Sequence, residues 1–595
     1  MAAITEGSAL ALERSFSGLA WRPRLEDARL ALTLAQRLDV PELLARALAG
    51  RGIGPDDAEA FLNPSLRAQL PDPGHLLDME RAAGRIADAV AAGEGIAVFG
   101  DYDVDGATSA ALLARFFRAL GTAIEVYIPD RMKEGYGPNA PALRALAKAG
   151  AKVVVTVDCG VTAHEALAEG RAAGLDVIVV DHHMAEPRLP EAFAVVNPNR
   201  LDEASPHRQL AAVGVAFLLV VAVNRELRRR GVYRARPEPD LMGWLDLVAL
   251  GTVCDQVKLT GVNRALVAQG LKVMAGRANA GLRALADVAR LESRPEAWHL
   301  GFLLGPRINA GGRVGRPGLG ARLLATDDDD EARALARELD AYNTERRDIE
   351  ARVLAEALAR AEAEGGAGRA LLFVAGEGWH PGVIGIVASR LGERFRRPVC
   401  VAAIDGEAAR GSGRSVRGID LGATIIAARQ KGLLINGGGH AMAAGFTVAR
   451  AGIDALRAFL EEAVAAQRAE AGEELGRTLY LDGALAAGAA TPELVERLAA
   501  LAPFGNGNAE PRFVIPAVRI GRADVVGEDH VRLFAAGGDG RRLKAIAFRA
   551  AGEPLGRALL EAGGLPVHPA GKLRIADWMG RRGVQLLIDD AAPAA

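Results

Sequence analysis

The sequence has 595 residues, half of them hydrophobic and a quarter charged, which is too long for one core and too apolar for a disordered chain; usual domain sizes give roughly three to five domains. Its net charge is −2, so any nucleic-acid contact must come from local basic patches and not from a global positive field. Cys159, Cys254 and Cys400 are scattered without CxxC spacing, which argues against a zinc or disulfide framework and for a reducing, cytoplasmic setting.

The N-terminus has no basic-then-apolar leader pattern, and no apolar run reaches the ~18–20 residues of a membrane span. Residues 1–75 carry apolar residues at helical spacing over 28–38, 41–48 and 56–62, which predicts a peripheral N-terminal helical support segment. A second unit, 76–326, opens with Val- and Ile-rich runs at 96–99, 124–128, 153–157 and 177–180. Helical patterns at 108–120, 140–149 and 164–173 separate them. That alternation predicts an α/β domain with a parallel sheet covered on both faces. Its remainder, from about 210, reads as mostly helical. Residues 327–365 form one long Ala-, Glu- and Arg-rich helical pattern, expected to be an exposed connector. A second α/β domain follows over 366–470, with glycine-rich segments at 410–415 and 437–440. From 471 to 595 short strands and turns predict an OB-like β-barrel.

Three carboxylates alternate in Gly100-Asp101-Tyr102-Asp103-Val104-Asp105-Gly106, directly after the first strand. Such like charge asks for a hard divalent cation. An EF-hand loop would need a Glu at the twelfth position from Asp101 and a helix before it; the residue is Leu112 and a strand precedes. Asp158 and Asp181-His182-His183 end two further strands, and ligands of open α/β sheets bind outside the carboxyl ends of the strands. Asp255 ends an apolar helical stretch. Asp103, Asp105, Asp158, Asp255 and one His are too many for one ion with open positions. They suit two ions ~3.5–4 Å apart sharing a carboxylate.

The segments GDYDVDG (100–106), VDCG (157–160), DHH (181–183) and VCDQV (253–257) resemble the DHH phosphoesterase superfamily. GPRINAGGR (305–313), GWHPGVIGIVASR (378–390), RGSGRS (410–415) and GGGHAMAAG (437–445) resemble its RecJ branch, with the DHHA1 domain that accompanies it. The resemblance implies a single-strand-specific 5′→3′ exodeoxyribonuclease of DNA repair and recombination. It would use two Mn²⁺ or Mg²⁺ ions and release 5′-mononucleotides. It implies Asp103 and Asp158 on one ion and Asp105, Asp158, His182 and Asp255 on the other, with Asp158 bridging. His183 would approach the scissile phosphate, Asp181 would orient a histidine, and Asp101 would position the loop or bind through water. Two residues depart from the pattern: Phe99 stands where small DHH enzymes carry a His, and Lys258 where a Pro is expected.

Arg307, Asn309, Arg313, Ser412, Arg414 and His440 are, by the same resemblance, a clamp for a 5′ end and its backbone. Tyr136 and Trp379 could stack on bases or pack in the core. Arg228-Arg229-Arg230 reads as a solvated face. The implied partners are single-stranded DNA with a 5′ end, a helicase and a single-strand-binding protein, with no membrane. A small-substrate DHH phosphoesterase, such as a nano-RNase, would not need the mass after 470. A catalytically dead strand-binding scaffold would not need the costly carboxylates.

Overall fold

The computed structural model describes residues 9–365, 368–471, 478–578 and 581–594. A short strand β1 (Ala20–Pro23) and two helices, α1 (Ala28–Leu38) and α2 (Glu42–Ala49), open the chain. The Asp27 carboxylate caps α1 by accepting from Arg29 N at 2.8 Å. The apolar stripe of these helices, including Ala31, Leu34, Leu44 and Leu48, shares a core with Leu485, Phe513, Val531 and Leu586, far along the chain. The N-terminal segment is thus built onto the last domain. Periodicity shows that a helix has an apolar face, not what covers it.

The next unit runs α3 (Met79–Ala92), β2 (Gly95–Gly100), α4 (Val104–Ala119), β3 (Ile124–Tyr127), α5 (Ala140–Lys148), β4 (Ala151–Val157), α6 (His164–Ala172), β5 (Asp176–Val180) and β6 (Ala194–Val196). Every pair is parallel, in the order β3-β2-β4-β5-β6. The alternation within each strand splits the core into two layers. Val98, Val153, Val155, Ile178 and Val180 face α3 and α4, while Ala97, Phe99, Val154, Val177 and Val179 face α5 and α6. Three residues of β6 are too few to show a period, which is why sequence patterning passes over it. Buried helices α7 (Ala212–Arg229) and α8 (Leu245–Cys254) back the first layer, followed by α9 (Gly261–Ala275) and α10 (Gly305–Val314).

The connector α11 (Asp329–Ala363) is less exposed than its composition suggests. Ala332, Leu335, Ala336 and Leu339 join the core of the first α/β domain, and Val353, Ala357 and Ala361 join that of the second. Between them Asn343, Arg346 and Glu350 are buried and bonded to one another. Alanine-rich stripes bury without a strong hydropathy signal.

The second α/β domain comprises β7 (Leu372–Glu377), α12 (Ile384–Phe395), β8 (Val399–Asp405), β9 (Ala408–Arg414), α13 (Leu421–Gln430), β10 (Asn436–His440), β11 (Ala443–Ala449) and α14 (Ile453–Ala471). Both glycine-rich segments are strands of its mixed sheet, β10-β11-β9-β8-β7. A Cβ on Gly411 would lie 2.0 Å from the Phe446 ring, and one on Gly413 2.6 Å from Leu421. Close packing, not turn geometry, requires glycine there.

The last domain pairs β12 (Thr478–Leu481) with β1 in parallel. Its barrel is built from β13 (Gly483–Ala484), β14 (Phe513–Val514), β15 (Val518–Val526), β16 (His530–Ala536), β17 (Arg542–Ala547), β18 (Pro566–Trp578) and β19 (Arg581–Pro593). β19 pairs with both β17 and β18, which closes the sheet. Trp21 donates its indole N–H to the buried Asp590 at 2.8 Å.

Arg264 on α9 fixes this domain against the first. It is 1% exposed, lies over the Phe61 ring, and donates to the carbonyls of Phe61, Leu501 and Ala502 at 2.8, 3.0 and 2.8 Å. Burial, with the charge of Arg51, lowers its pKa to about 10. Arg264→Ala leaves those carbonyls buried without donors, so unfolding free energy should fall by about 3 kcal/mol or more. Urea unfolding should then show the barrel uncoupled as an earlier transition; one transition at the wild-type midpoint would refute this anchoring role.

Candidate metal centre and substrate cleft

The register of the first sheet sets the centre. Gly100 pairs with Val157 and Val157 with Val180. The residues that follow, Asp101, Asp158 and Asp181, therefore stand in a row across three neighbouring strand ends. Their backbone N–H groups continue the ladder, donating to Val157, Val180 and Val196 carbonyls at 3.2, 3.0 and 3.1 Å. Asp158 sits in the left-handed region, with φ of 62°, an uncommon and strained choice for a residue with a Cβ.

Helices supply the rest. Asp103 caps α4, its Oδ1 accepting from Asp105 N at 2.9 Å and Gly106 N at 3.1 Å. Gly106 must be glycine, because a Cβ there would lie 2.4 Å from the Asp101 carbonyl. Asp105, 1% exposed, accepts from Ala212 N at 2.7 Å and Val213 N at 2.8 Å at the start of α7. Asp255 caps the C-terminus of α8. That helix approaches α4 closely enough that a Cβ on Gly251 would lie 2.3 Å from Thr108 Oγ1.

Three overlapping triads result: Asp101, Asp103 and Asp158; Asp105, His182 and Asp255; and Asp158, His182 and His183. Within each, one ligand atom per residue lies within 4.8 Å of the others. Among the described residues, nothing hydrogen-bonds the buried atoms Asp101 Oδ1, Asp158 Oδ1, His182 Nε2 or Asp255 Oδ2. His182 Nε2 stands 3.4 Å from Asp158 Oδ1 and 3.6 Å from Asp255 Oδ2. Buried polar atoms left unpaired are costly. Atoms that share a cation at about 2.1 Å lie about 3 Å apart and gain nothing from bonding each other. The donor set, hard oxygens with one imidazole, fits Mg²⁺ or Mn²⁺.

Electrostatics agree. Burial, then repulsion from Asp103, pushes Asp101 and Asp158 well above the usual carboxylate range. Burial and neighbouring aspartates raise Asp105 to about 7 and Asp255 to about 9. Burial, joined by the neighbouring His183, lowers His182 to about 4, so it presents a neutral imidazole. Asp181 differs. Burial works against its charge, yet its oxygens accept from His182 N, His183 N, His183 Nδ1 and Val161 N at 2.7, 3.1, 2.8 and 3.0 Å. The His183 ring bond and charge, with the Val161 bond and the charge of His182, hold it at about 2.

Residues 95–252 match the DHH family N-terminal domain, 370–466 the DHHA1 domain and 481–590 the RecJ OB domain. The single-stranded-DNA-specific exonuclease RecJ of Dickeya dadantii is 37% identical over 568 residues, 93% of this chain and 96% of that protein. Its Escherichia coli counterpart is 36% identical over 576 residues, with 93% and 96% covered. The crystal structure of RecJ with Mn²⁺ from Thermus thermophilus superposes with a TM-score of 0.79 at 31% identity, covering 95% of this chain and 78% of that one.

The chain belongs to the RecJ family.

In this RecJ-family chain Asp101, expected to position the loop or to bind through water, stands among the candidate ligands. Phe99 is buried and stacks on Tyr127 at 5.2 Å, so that position belongs to the core. His183 turns Nδ1 to Asp181, leaving Nε2 for the cleft. Tyr136 Oη donates to the Asp158 carbonyl at 3.0 Å and lies 3.3 Å from His183 Nδ1. Its hydroxyl steadies the centre while the half-exposed ring lines the mouth.

The expected clamp residues divide. Arg313 Nη1 donates to the Gly382 carbonyl at 2.9 Å, tying α10 to the second α/β domain. Burial and the charges of Arg131, Arg346 and Arg414 lower its pKa to about 10. Arg414 folds onto Ser412 Oγ at 3.0 Å and the Gly413 carbonyl at 2.8 Å. His440 is exposed, and Asn309 lines a groove of about 1290 Å³ with Arg313, Arg346 and Phe504. Arg307 is different: it is buried and donates to Asp340 at 2.8 Å and to the Leu303 carbonyl at 2.7 Å. That ties α10 to α11 and leaves it little capacity for a substrate. Trp379 is buried with its indole on Glu356 at 2.8 Å, which rules out base stacking in this conformation.

Three residues were missed by sequence reasoning. Asn197 and Asn199 donate to the His183 and His182 carbonyls at 2.8 and 2.5 Å; two asparagines around Pro198, after a strand, were the available signal. Arg131 stacks over Tyr102 at 5.0 Å, and no pattern around it marks it out.

Unfolded aspartates ionise near pH 4. The ion-free folded protein therefore binds more protons than the unfolded chain up to about pH 7 at Asp105 and about pH 9 at Asp255. That contribution is complete below the unfolded pKa and is lost as pH rises through the folded values. In EDTA the melting temperature should fall between about pH 6 and about pH 9, and saturating Mn²⁺ should reverse or flatten the slope, because protons then compete with the ion. An EDTA profile that rises with pH would contradict the buried carboxylate cluster.

Proposed function

We propose that this chain is a metal-dependent exonuclease that degrades single-stranded DNA 5′→3′ to 5′-mononucleotides, in DNA repair and recombination. The observation that carries the reading is the set of buried, unpaired atoms Asp158 Oδ1, His182 Nε2 and Asp255 Oδ2 facing one another. Asp101, Asp103 and Asp158 would hold one divalent ion, Mn²⁺ or Mg²⁺. Asp105, Asp158, His182 and Asp255 would hold the other. When bound, such a pair activates water and neutralises the oxygens of an in-line phosphoryl displacement.

The protein's part is aim and charge. Burial disfavours the charged form of His183, but the hydrogen bond to Asp181 and the charges of Asp181, Asp101 and Asp103 together outweigh it and raise its pKa. His183 can thus present a protonated Nε2 to a phosphate oxygen. Asn197 and Asn199 hold the backbone of the DHH segment, so the two rings keep their spacing. Arg131, Arg313 and Arg414 face the acids from the other wall and suit a phosphate backbone. Ser412, Arg414 and His440 lie in the second α/β domain, where they would receive the terminal 5′ phosphate.

The cleft supports single-strand selectivity. Arg313 bonds Gly382, and Arg410 donates to the Met132 carbonyl at 3.4 Å, so the two α/β domains touch at both points. A strand threaded between them would be closed in at those points, which would exclude a complement. The groove running from Asn309 past Phe504 to Arg549 leads toward the barrel, whose fold is suited to single strands. A helicase and a single-strand-binding protein are natural suppliers of such a substrate.

Asp158→Ala should abolish Mn²⁺-dependent release of mononucleotides from a 5′-phosphorylated single-stranded oligonucleotide, a loss of at least about 10³-fold. The same variant should melt in EDTA no lower than wild type, since it removes a buried carboxylate that repels its neighbours. Retained turnover, or digestion of blunt duplex as fast as single strands, would sink the reading.

A further inference from the structure

The segment after Asp255 is held by the barrel. Gln256 takes the left-handed conformation, with φ of 59°, which is unfavourable for a non-glycine residue. Its carbonyl accepts from Asn506 Nδ2 at 2.6 Å. Three residues on, Leu259 N donates to the Asn506 carbonyl at 2.8 Å. One residue of the last domain thus brackets residues 256–259 through both its side chain and its backbone.

The loop that carries Asn506 is built for close approach. A Cβ on Gly505 would lie 2.7 Å from Leu259 Cδ1, and one on Gly507 3.0 Å from Lys258 Cβ. The turn closes on itself through Gly505 N to Asn508 O at 2.9 Å and Asn508 N to Gly505 O at 3.1 Å. Asn508 is buried and donates to the Leu501 and Pro503 carbonyls at 2.8 Å each, and accepts from Arg51 Nε at 2.9 Å. Arg264 grips the preceding carbonyls. The loop is therefore a rigid support.

Asp255 needs such a support. It caps the last turn of α8, where backbone bonds run out. Its Oδ2 has no hydrogen bond among the described residues, and the neighbouring aspartates repel it. Asp105, by contrast, is held by two backbone N–H groups.

We infer that Asn506 is a positioning residue for the metal centre: by fixing Gln256 it holds Asp255 opposite His182, so the barrel completes the second ion's site as well as holding the strand. This rests on the reading of Asp255 as a ligand proposed above.

The test compares wild type with Asn506→Ala and with Asn506→Asp, an isosteric change that replaces the donor with a charged acceptor facing the Gln256 carbonyl. Two Mn²⁺ midpoints are measured on the full chain: that for hydrolysis of a 5′-phosphorylated oligonucleotide, and that for thermal stabilisation without DNA. Both variants should shift both midpoints upward by about tenfold or more, with turnover recovering at saturating Mn²⁺ and oligonucleotide affinity in EDTA within about twofold of wild type. Unchanged Mn²⁺ midpoints would overturn the inference. So would a turnover loss that Mn²⁺ does not restore alongside weakened oligonucleotide binding in EDTA, which would assign the loop to the strand. A wild type that Mn²⁺ neither stabilises nor activates would instead overturn the metal reading itself.

Discussion

Several carboxylates buried within a few ångströms of one another are the constraint on which the rest depends. Each would be expensive to bury alone, and together they repel. The fold meets part of that cost with backbone donors: two at the start of α7 for Asp105, two in α4 for Asp103, and three for Asp181. It leaves the rest unmet at Asp101, Asp158, His182 and Asp255. Within this cluster the unpaired atoms are ones that a cation could join, which is what a metal centre requires and a merely acidic pocket does not. Asp181 is the exception that clarifies the rule. It is as buried as its neighbours but strongly acidic, with its oxygens engaged by His183 and by backbone N–H groups.

Opposite the acids stands a wall of arginines, and this resolves the near-zero net charge. Arg131, Arg346 and Arg414 lie close enough to Arg313 for their charges to join burial in lowering its pKa. A field of that kind is short-ranged in salt and local to the cleft. It favours a polyanion between the two walls. Arg228, Arg229 and Arg230 make the contrast: each is neutralised by Glu226, Glu238 or Asp88 on a solvated face.

Much of this was legible in the sequence, and the limits are physical. Strand-end acids were readable because β2, β4 and β5 are apolar on both faces, so a charge after each run marks its end. That Asp101, Asp158 and Asp181 form a row followed from parallel order. What single-sequence patterns could not supply was anything set by a distant partner. The N-terminal helices show an apolar face but not the barrel that covers it. Arg307 and Arg313 sit six residues apart in one helix, yet Asp340 claims the first while the second reaches Gly382 at the cleft. The glycines of β9 resemble a phosphate-binding turn, but Phe446 and Leu421 require them. Arg131 and Asn506 carry no local signal, because their importance comes from what the fold brings beside them.

The arrangement also explains why the barrel is fastened so firmly. A domain that only lengthened the grip on a strand could hang from a flexible linker and still raise affinity. Here the barrel is held from several directions: β1 pairs with β12, Trp21 bonds Asp590, and Arg264 is driven into the loop before Asn506. Of these, Arg264 ties the barrel to α9 beside α8, and a hydrogen bond of 2.6 Å to Gln256 tolerates little drift. Rigidity of this kind is needed where geometry at an atom is at stake, since misplacing a ligand by an ångström changes the site. The N-terminal segment, remote from every acid, then acquires a role through mechanics: it holds the barrel, the barrel holds residues 256–259, and they hold Asp255.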